Sequence, residues 1–371
     1  LVEDGKLDKN KNSVVSALDK ILKEENSKLK EKTIELLGKI GEPSIPILVK
    51  HLQNKNLKVY LRKNIIKILG NIGSSKEKVL NQLSQILMVN EKSELRAEAL
   101  SSLKKIGVKN KQVVKSLVIA LGDSDSLISW RASSALDQIA PDIKIEPILI
   151  KSLKSSNINI LIKAIKALRK YESKQAKAVL VKLLSESGTS VKLATINTLI
   201  EYDSLDEKYI SKITNLVYEK NNDICINAIK LLGKMELKQK SIKAFKSALR
   251  KKNFEIKKET AETLGNMNKI PEILIYNLTL LLGEKNKTVV NTIETALDKQ
   301  KISSKKRIAL LYEALKKEEN KKVKILKGME KITDISKDDI TRNLIKDLNI
   351  LLQNDKKKIK ILTLKVLCNI G

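Results

Sequence analysis

The 371-residue chain has little of what most enzyme centres and disulfide frameworks are built from: one histidine, two cysteines, one tryptophan, two phenylalanines and five prolines. Aromatic residues make up 3% of it, too few for the core of a β-sandwich or barrel. Cys225 and Cys368 stand far apart, each inside an apolar helical pattern (ICINAIKLL and LKVLCNIG). They read as two buried free thiols rather than a disulfide or metal pair. His51 has no second histidine and no cysteine cluster within ligand spacing, so it reads as a solvated polar residue rather than a ligand or general base. No phosphate-cradling glycine loop, nucleophile elbow or metal-spaced cluster is present, and the expectation is a chain without catalytic residues, metal or cofactor. No apolar run approaches the roughly 18 residues that a membrane span needs, and the chain opens on LVEDGK rather than a charged-then-apolar leader. A soluble chain is expected, with the cytoplasm slightly favoured and export left open.

What is there in quantity is leucine, isoleucine, lysine, glutamate and alanine, and a hydrophobic fraction of 42% is enough to bury a core. One phrase recurs: LLGKIG ends at Gly41, ILGNIG at Gly73, SLKKIG at Gly107, ALDQIA at Ala140 and VLCNIG at Gly371. Its leucine serves as an anchor at Leu37, Leu69, Leu103, Leu136, Leu168, Leu199, Leu232, Leu264, Leu297 and Leu367, with Met329 in the same role, at a period near 33. Each unit splits into two amphipathic stretches around a polar turn, as in IPILVKHL, QNKNLK, VYLRKNIIKILGNIG. The second stretch predicts core slots eight, four and one before the anchor, at it, and three after it. They are filled by Leu61, Ile65, Ile68, Leu69 and Ile72; by Leu29, Thr33, Leu36, Leu37 and Ile40; and by Ile224, Ala228, Leu231, Leu232 and Met235. Asn26, Asn56, Asn157, Asn221, Asn253, Asn286 and Asn354 precede second helices, where a short polar side chain caps exposed N–H groups. The chain is therefore expected as a polar lead-in over residues 1–12 and one repeat domain over 13–371. Its repeats end near 41, 73, 107, 140, 172, 203, 236, 268, 301, 333 and 371.

The pattern resembles the HEAT-repeat family in its bacterial and archaeal form. The resemblance is carried by the L-G-x-I-G close and by an apolar residue followed by Arg or Lys early in the second helix: Leu61-Arg62, Leu95-Arg96, Leu29-Lys30, Val191-Lys192, Ile256-Lys257 and Ile359-Lys360. It implies an all-α, right-handed α-α superhelix, a solenoid of about eleven helix pairs whose second helices line a long concave binding face. It also implies a ladder in which a loop aspartate partners the basic residue; asparagine mostly fills that loop position here, which leaves the ladder open. Two enzymatic relatives fit poorly. HEAT-type deoxyhypusine hydroxylases need several His-Glu pairs to hold two irons, and HEAT-like DNA glycosylases rely on aromatic residues around the lesion, whereas this chain has one histidine and one tryptophan.

The formal charge of +30 points to nucleic acid, anionic lipid or an acidic protein surface, since a cationic surface concentrates anions. Only seven of the 73 basic residues are arginine, the residue suited to bidentate phosphate recognition. Solvent slots five and two before the anchor and two after it gather Lys67, Lys105, Arg131, Lys163, Lys166, Lys170, Lys230 and Lys234 into a candidate basic stripe, densest at Lys163, Lys166 and Lys170 beside Arg131. Trp130 reads first as repeat-to-repeat packing, because its slot elsewhere holds mostly apolar residues (Ile162, Leu193, Ile226 and Ile361, against Lys63), and second as an exposed aromatic anchor. The leading expectation is a non-enzymatic scaffold or adaptor binding a protein partner, with backbone-phosphate binding of nucleic acid as its rival and a glycosylase- or lyase-type enzyme behind both. Ile359, Leu364, Leu367 and Ile370 keep core-like slots in the last pattern, so self-association or further repeats are expected at that end.

Overall fold

The computed structural model describes residues 11–89, 91–186, 188–332 and 342–370, and among them it is an all-α solenoid of helix pairs with no strand. Residues 1–10 of the expected lead-in, the repeat end near 333 and Gly371 lie outside the described residues. The chain divides into two compact units, Leu1–Leu183 and Leu184–Gly371. The first holds α1 (Lys11–Ile21), α2 (Ser27–Ile40), α3 (Ile45–Gln53), α4 (Val59–Ile72), α5 (Glu77–Met88), α6 (Ser93–Ile106), α7 (Lys111–Ala120), α8 (Ser126–Ile139), α9 (Ile145–Ser152) and α10 (Ile158–Ala167). The division falls within α11 (Lys174–Glu186). The second holds α12 (Thr189–Ile200), α13 (Ile210–Leu216), α14 (Asn222–Gly233), α15 (Gln239–Arg250), α16 (Phe254–Asn266), α17 (Glu272–Thr279), α18 (Lys287–Lys299), α19 (Ser304–Lys317), α20 (Lys322–Glu330), α21 (Arg342–Leu351) and α22 (Lys357–Ile370).

Side-chain spacing explains which face of each second helix goes inside. At about 100° per residue, positions four and three before the anchor fall within about 60° of it and the position eight before it falls about 80° away, on the same side of the helix. Accordingly Leu61, Ile65 and Leu69 are buried, and so are Ile224, Ala228 and Leu232. The position three before the anchor, absent from the expected core, is buried too, as Ile34, Ile66, Leu100, Ile165, Ile196, Ile229 and Ala261. The slot just before the anchor is buried at Ala135, Ala167, Leu231 and Val366 and less covered in the first two repeats, where Ile68 is half-buried and Leu36 exposed, as is Leu29 eight before its anchor. Each fully buried Leu or Ile contributes about 1.5–3 kcal/mol, so stability is spread along the stack in small, similar increments.

Asn26, Asn157, Asn221, Asn253 and Asn286 cap their second helices by accepting from a backbone N–H two or three residues on. Asn56 does not; Lys58 holds the cap position of α4. Two polar expectations are corrected. His51 is buried, its Nε2 2.7 Å from Oδ1 of Asp19 on α1, the first helix of the preceding repeat. Cys225 is buried as expected, but Cys368 is exposed on α22.

Second helices stack on second helices along α2, α4, α6 and α8, and again along α12, α14, α16 and α18. The stacking then lapses once in each unit. In the first, α10 packs on α7 and α9 rather than on α8; in the second, α20 packs on the 3-10 turn Leu280–Gly283 that ends the first helix of the preceding repeat. A glycine makes each close approach geometrically possible, since a Cβ at Gly122 would overlap the carbonyl oxygen of Lys163 and one at Gly283 would overlap that of Lys324. Gly122→Ala and Gly283→Ala are each expected to cost at least about 1–3 kcal/mol, because the obstructing atoms are backbone and cannot rotate away. Thermal unfolding followed by circular dichroism checks this, and unchanged midpoints would show that the two helices do not depend on these contacts.

Candidate functional site

A buried carboxylate sits where the first stacking lapse occurs. Asp123, whose side chain is fully excluded from solvent, accepts from Arg96 Nε at 2.8 Å on Oδ2 and from a second Arg96 nitrogen at 2.7 Å on Oδ1, and Lys163 Nζ lies 2.9 Å from the same Oδ2. The backbone N–H of Asp125 adds a fourth donor at 3.0 Å, and Lys163 also donates to the Leu87 carbonyl at the end of α5, at 2.7 Å. Burial pushes the Asp123 carboxyl up, but the bonds from Arg96, Asp125 and Lys163 outweigh it and hold it below its ordinary value near 3.8. Burial presses the Lys163 ammonium down as well, its bond to Asp123 offsets this only in part, and Arg96 and Lys166 add repulsion. One anion thus holds two cations, one from the repeat before it and one from the repeat after.

The arrangement recurs in the second unit. Glu284 takes Lys257 at 2.7 Å and Lys324 at 2.6 Å on the same oxygen. Arg96 and Lys257, Gly122 and Gly283, Asp123 and Glu284, and Lys163 and Lys324 are each 161 residues apart. Simpler rungs join Arg62 to Glu91 in bidentate fashion, at 2.9 and 3.0 Å, and Lys192 to Glu219 at 2.6 Å. The ladder left open by the sequence is therefore present. Its acids stand one or two residues ahead of the cap position rather than in the asparagine slot. Where Cys225 replaces the basic residue, Lys251 occupies the acid's place, 3.4 Å from the thiol sulfur and donating to the Val217 carbonyl at 2.8 Å. Burial pushes that thiol up, with Lys251 acting in the opposite sense.

The ladder breaks up the expected basic stripe. Lys163 is not a surface residue: its side chain is only 12% exposed, and its charge is spent on Asp123. Arg131 is half-buried. Lys105 donates to Asn71 at 2.8 Å, Lys230 lies 3.4 Å from Glu259, and Lys234 donates to the carbonyls of Ile200 and Tyr202, so these three tie neighbouring second helices together. Lys67, Lys166 and Lys170 remain exposed and without an ion-pair partner among the described residues. Burial exposes a further limit of the five-before-anchor slot, which lies about 140° from the anchor and faces the flank of the helix rather than open solvent.

Trp130 does not pack between repeats. It is 67% exposed on α8, one turn from Leu127, which is 49% exposed on the same face, and the next second helix opens on exposed Ile158. Because α10 lies on α7, nothing in the first unit covers this apolar face of α8. In the second unit the last two helices, α21 and α22, carry exposed Ile345, Ile350, Ile361 and Leu364; Ile359 is buried and Leu367 half-buried, and the side chain of Ile370 lies outside the described residues. Among the described residues no His, Cys, Asp or Glu side chains are grouped to hold a metal ion, and no helix is long and apolar enough to cross a membrane.

A family model described as HEAT repeats matches residues 15–104 and 114–200. No curated protein sequence matches the chain. Similar solved structures include an engineered protein, 19% identical over 96% of this chain and 98% of that one, with a TM-score of 0.39. Human deoxyhypusine hydroxylase in complex with glycerol is 14% identical over 81% of this chain and 100% of its own, with a TM-score of 0.32. A structure of Kap95p binding to RanGDP is 11% identical over 98% of this chain and 56% of that one, with a TM-score of 0.39. At such identities and scores the likenesses carry neither function nor partner to this chain.

Removing one member of a buried, hydrogen-bonded ion cluster leaves the others uncompensated, so Asp123→Ala is expected to cost about 3–5 kcal/mol. Folding lowers the carboxyl below its unfolded value, so its contribution is intact above about pH 4 and is lost as pH falls through the folded value. Urea unfolding across pH 2–7 tests both points: the acid-linked loss should shrink in Asp123→Ala, and an identical pH profile in the two proteins would contradict the assignment.

Proposed function

Because the chain belongs to the HEAT-repeat family, we propose that it is a non-enzymatic scaffold or adaptor that binds a protein partner through the second-helix face of its first unit. The observation that carries this is the exposure of Trp130 beside Leu127 on a helix face that the fold leaves uncovered. A large exposed aromatic side chain next to apolar neighbours is a common anchor of protein interfaces, where it fills a pocket on the partner and excludes water. The unpaired ammonium groups of Lys67, Lys166 and Lys170 belong to the same unit and favour a segment that presents an apolar side chain flanked by carboxylates.

The same pattern weighs against the nucleic-acid reading. A solenoid tracking a phosphate backbone needs a continuous row of free cations, and here Lys105, Lys163, Lys230 and Lys234 serve contacts within the protein. The partner is a protein of complementary, acidic character, and the chain supplies position rather than chemistry.

The test begins with partners captured by the wild-type chain from native lysate and identified by mass spectrometry. Their affinity is then measured for Trp130→Ala and for Lys166→Glu/Lys170→Glu. Trp130→Ala is expected to lose about 2 kcal/mol, some thirty-fold in Kd, with an unchanged thermal midpoint. Equal affinity of Trp130→Ala for every captured partner would sink the proposal. So would tight, steeply salt-dependent binding of generic DNA or RNA that displaces those partners.

A further inference from the structure

We infer that the second unit carries a binding cleft for a phosphoryl group, formed where α20 crosses onto the preceding repeat and independent of the Trp130 surface. The cleft encloses about 250 Å³ among the last turn of α15, the first turn of α16, α17 and the start of α20. Five cations line it: Lys246, Arg250, Lys257, Lys321 and Lys324. Two carboxylates answer them. Glu284 is shared by Lys257 and Lys324, and Glu318, on the rim, takes Lys321 at 2.9 Å. Lys246 and Arg250 have no ion-pair partner among the described residues, so the cleft keeps an excess of positive charge. Tyr276 stands half-buried in its wall and presents a phenolic hydroxyl as a further donor.

The first unit provides an internal control, because it holds the same junction 161 residues earlier. There the two clamp cations persist as Arg96 and Lys163, but Gln85, Val89 and Ile160 stand in place of Lys246, Arg250 and Lys321, and Lys115 in place of Tyr276. The clamp itself is also closed there: Asp123 is fully buried, whereas in the second unit Glu284 keeps 22% and Lys324 34% of their side chains exposed. A purely structural clamp needs one anion and two cations, as the first unit demonstrates. The second unit places Lys246, Arg250 and Lys321 around an opened clamp where the first has no cation, against the single Lys115 that the first unit has in place of Tyr276, a net gain of two positive charges.

The ligand chemistry follows from the donors. A guanidinium and several ammonium groups converging on a small cavity suit a compact group bearing two or more negative charges and several acceptor oxygens, which is a phosphate monoester or pyrophosphate. Walls from Ile273 and Leu281 lower the dielectric around it and strengthen each contact. The group can come as a free oligophosphate or on a phosphorylated side chain of a bound protein.

Isothermal titration of the whole chain at low salt distinguishes these sources, using pyrophosphate, a phosphoserine peptide and its unphosphorylated counterpart. One saturable site is expected with Kd below about 1 mM, and Lys246→Gln/Arg250→Gln should weaken it at least ten-fold without shifting the thermal midpoint. Tighter binding of the phosphopeptide assigns the cleft to a phosphorylated side chain, and tighter binding of pyrophosphate assigns it to a free anion. Lys28→Gln/Lys32→Gln on exposed positions of α2 serves as the charge-matched control and should leave both affinities unchanged. No saturable binding of either phosphate, or equal weakening by the control variant, would overturn the inference.

Discussion

The interaction on which the rest depends is a single buried carboxylate shared between cations of the repeats before and after it. An ordinary repeat stack pairs apolar faces of matching width with a basic–acidic rung beside them, as α4 on α6 does with Arg62 and Glu91. At Asp123 and Glu284 a second charged tie is added, and the following second helix lies against the end of an earlier first helix instead of against its own predecessor. Such a tie is costly to bury and contributes little net stability over an apolar contact, but it is specific, because only one placement of α10 satisfies Asp123, Arg96 and the Leu87 carbonyl together. The glycine ahead of each acid completes the device by letting backbone meet backbone.

The function proposed for the first unit rests on that displacement. A second helix left without a neighbour exposes whatever its flank carries, and on α8 the flank carries Leu127 and Trp130. The equivalent flank of α18 holds Thr288 and Asn291, which tolerate water, so the same backbone arrangement yields an apolar surface in one unit and a polar one in the other. The +30 charge divides in the same way between work inside the fold and work outside it. Lysines such as Lys105 and Lys299 reach back to asparagines of the preceding repeat, at 2.8 and 2.7 Å, while Lys67, Lys166, Lys170, Lys246 and Arg250 have no ion-pair partner among the described residues.

The fold was legible because a period near 33 repeats the same apolar skeleton, and the anchors, the asparagine caps and most core slots follow from helical geometry alone. Legibility failed where a residue's surroundings come from a non-neighbouring helix. Lys163 occupies a flank slot that is half-buried at Asn64, Glu98 and Glu259 in the regular stacks, and the seating of α10 turns it onto Asp123; Trp130 is exposed in a slot that is apolar and at least partly covered at Ile162, Leu193 and Ile226. His51 was misread for lack of its partner, since Asp19 lies 32 residues away and no local pattern links them. A signal for the clamps does exist in the sequence. ALGD at 120–123 and LLGE at 281–284 match in position, each followed 40 residues after its acid by a lysine within an apolar helix, and a comparison at an offset of 161 rather than 33 brings them out.

The most direct test of the clamp is hydrogen–deuterium exchange of Asp123→Asn, read helix by helix, because local opening reports which segment the carboxylate holds. If Asp123 fixes the seating of α10, the amides of α10 lose protection by an order of magnitude or more while those of α20, held by the intact Glu284, exchange as in the wild-type chain. Unchanged protection of α10, or an equal loss in α10 and α20, would contradict the view that each buried carboxylate seats its own helix.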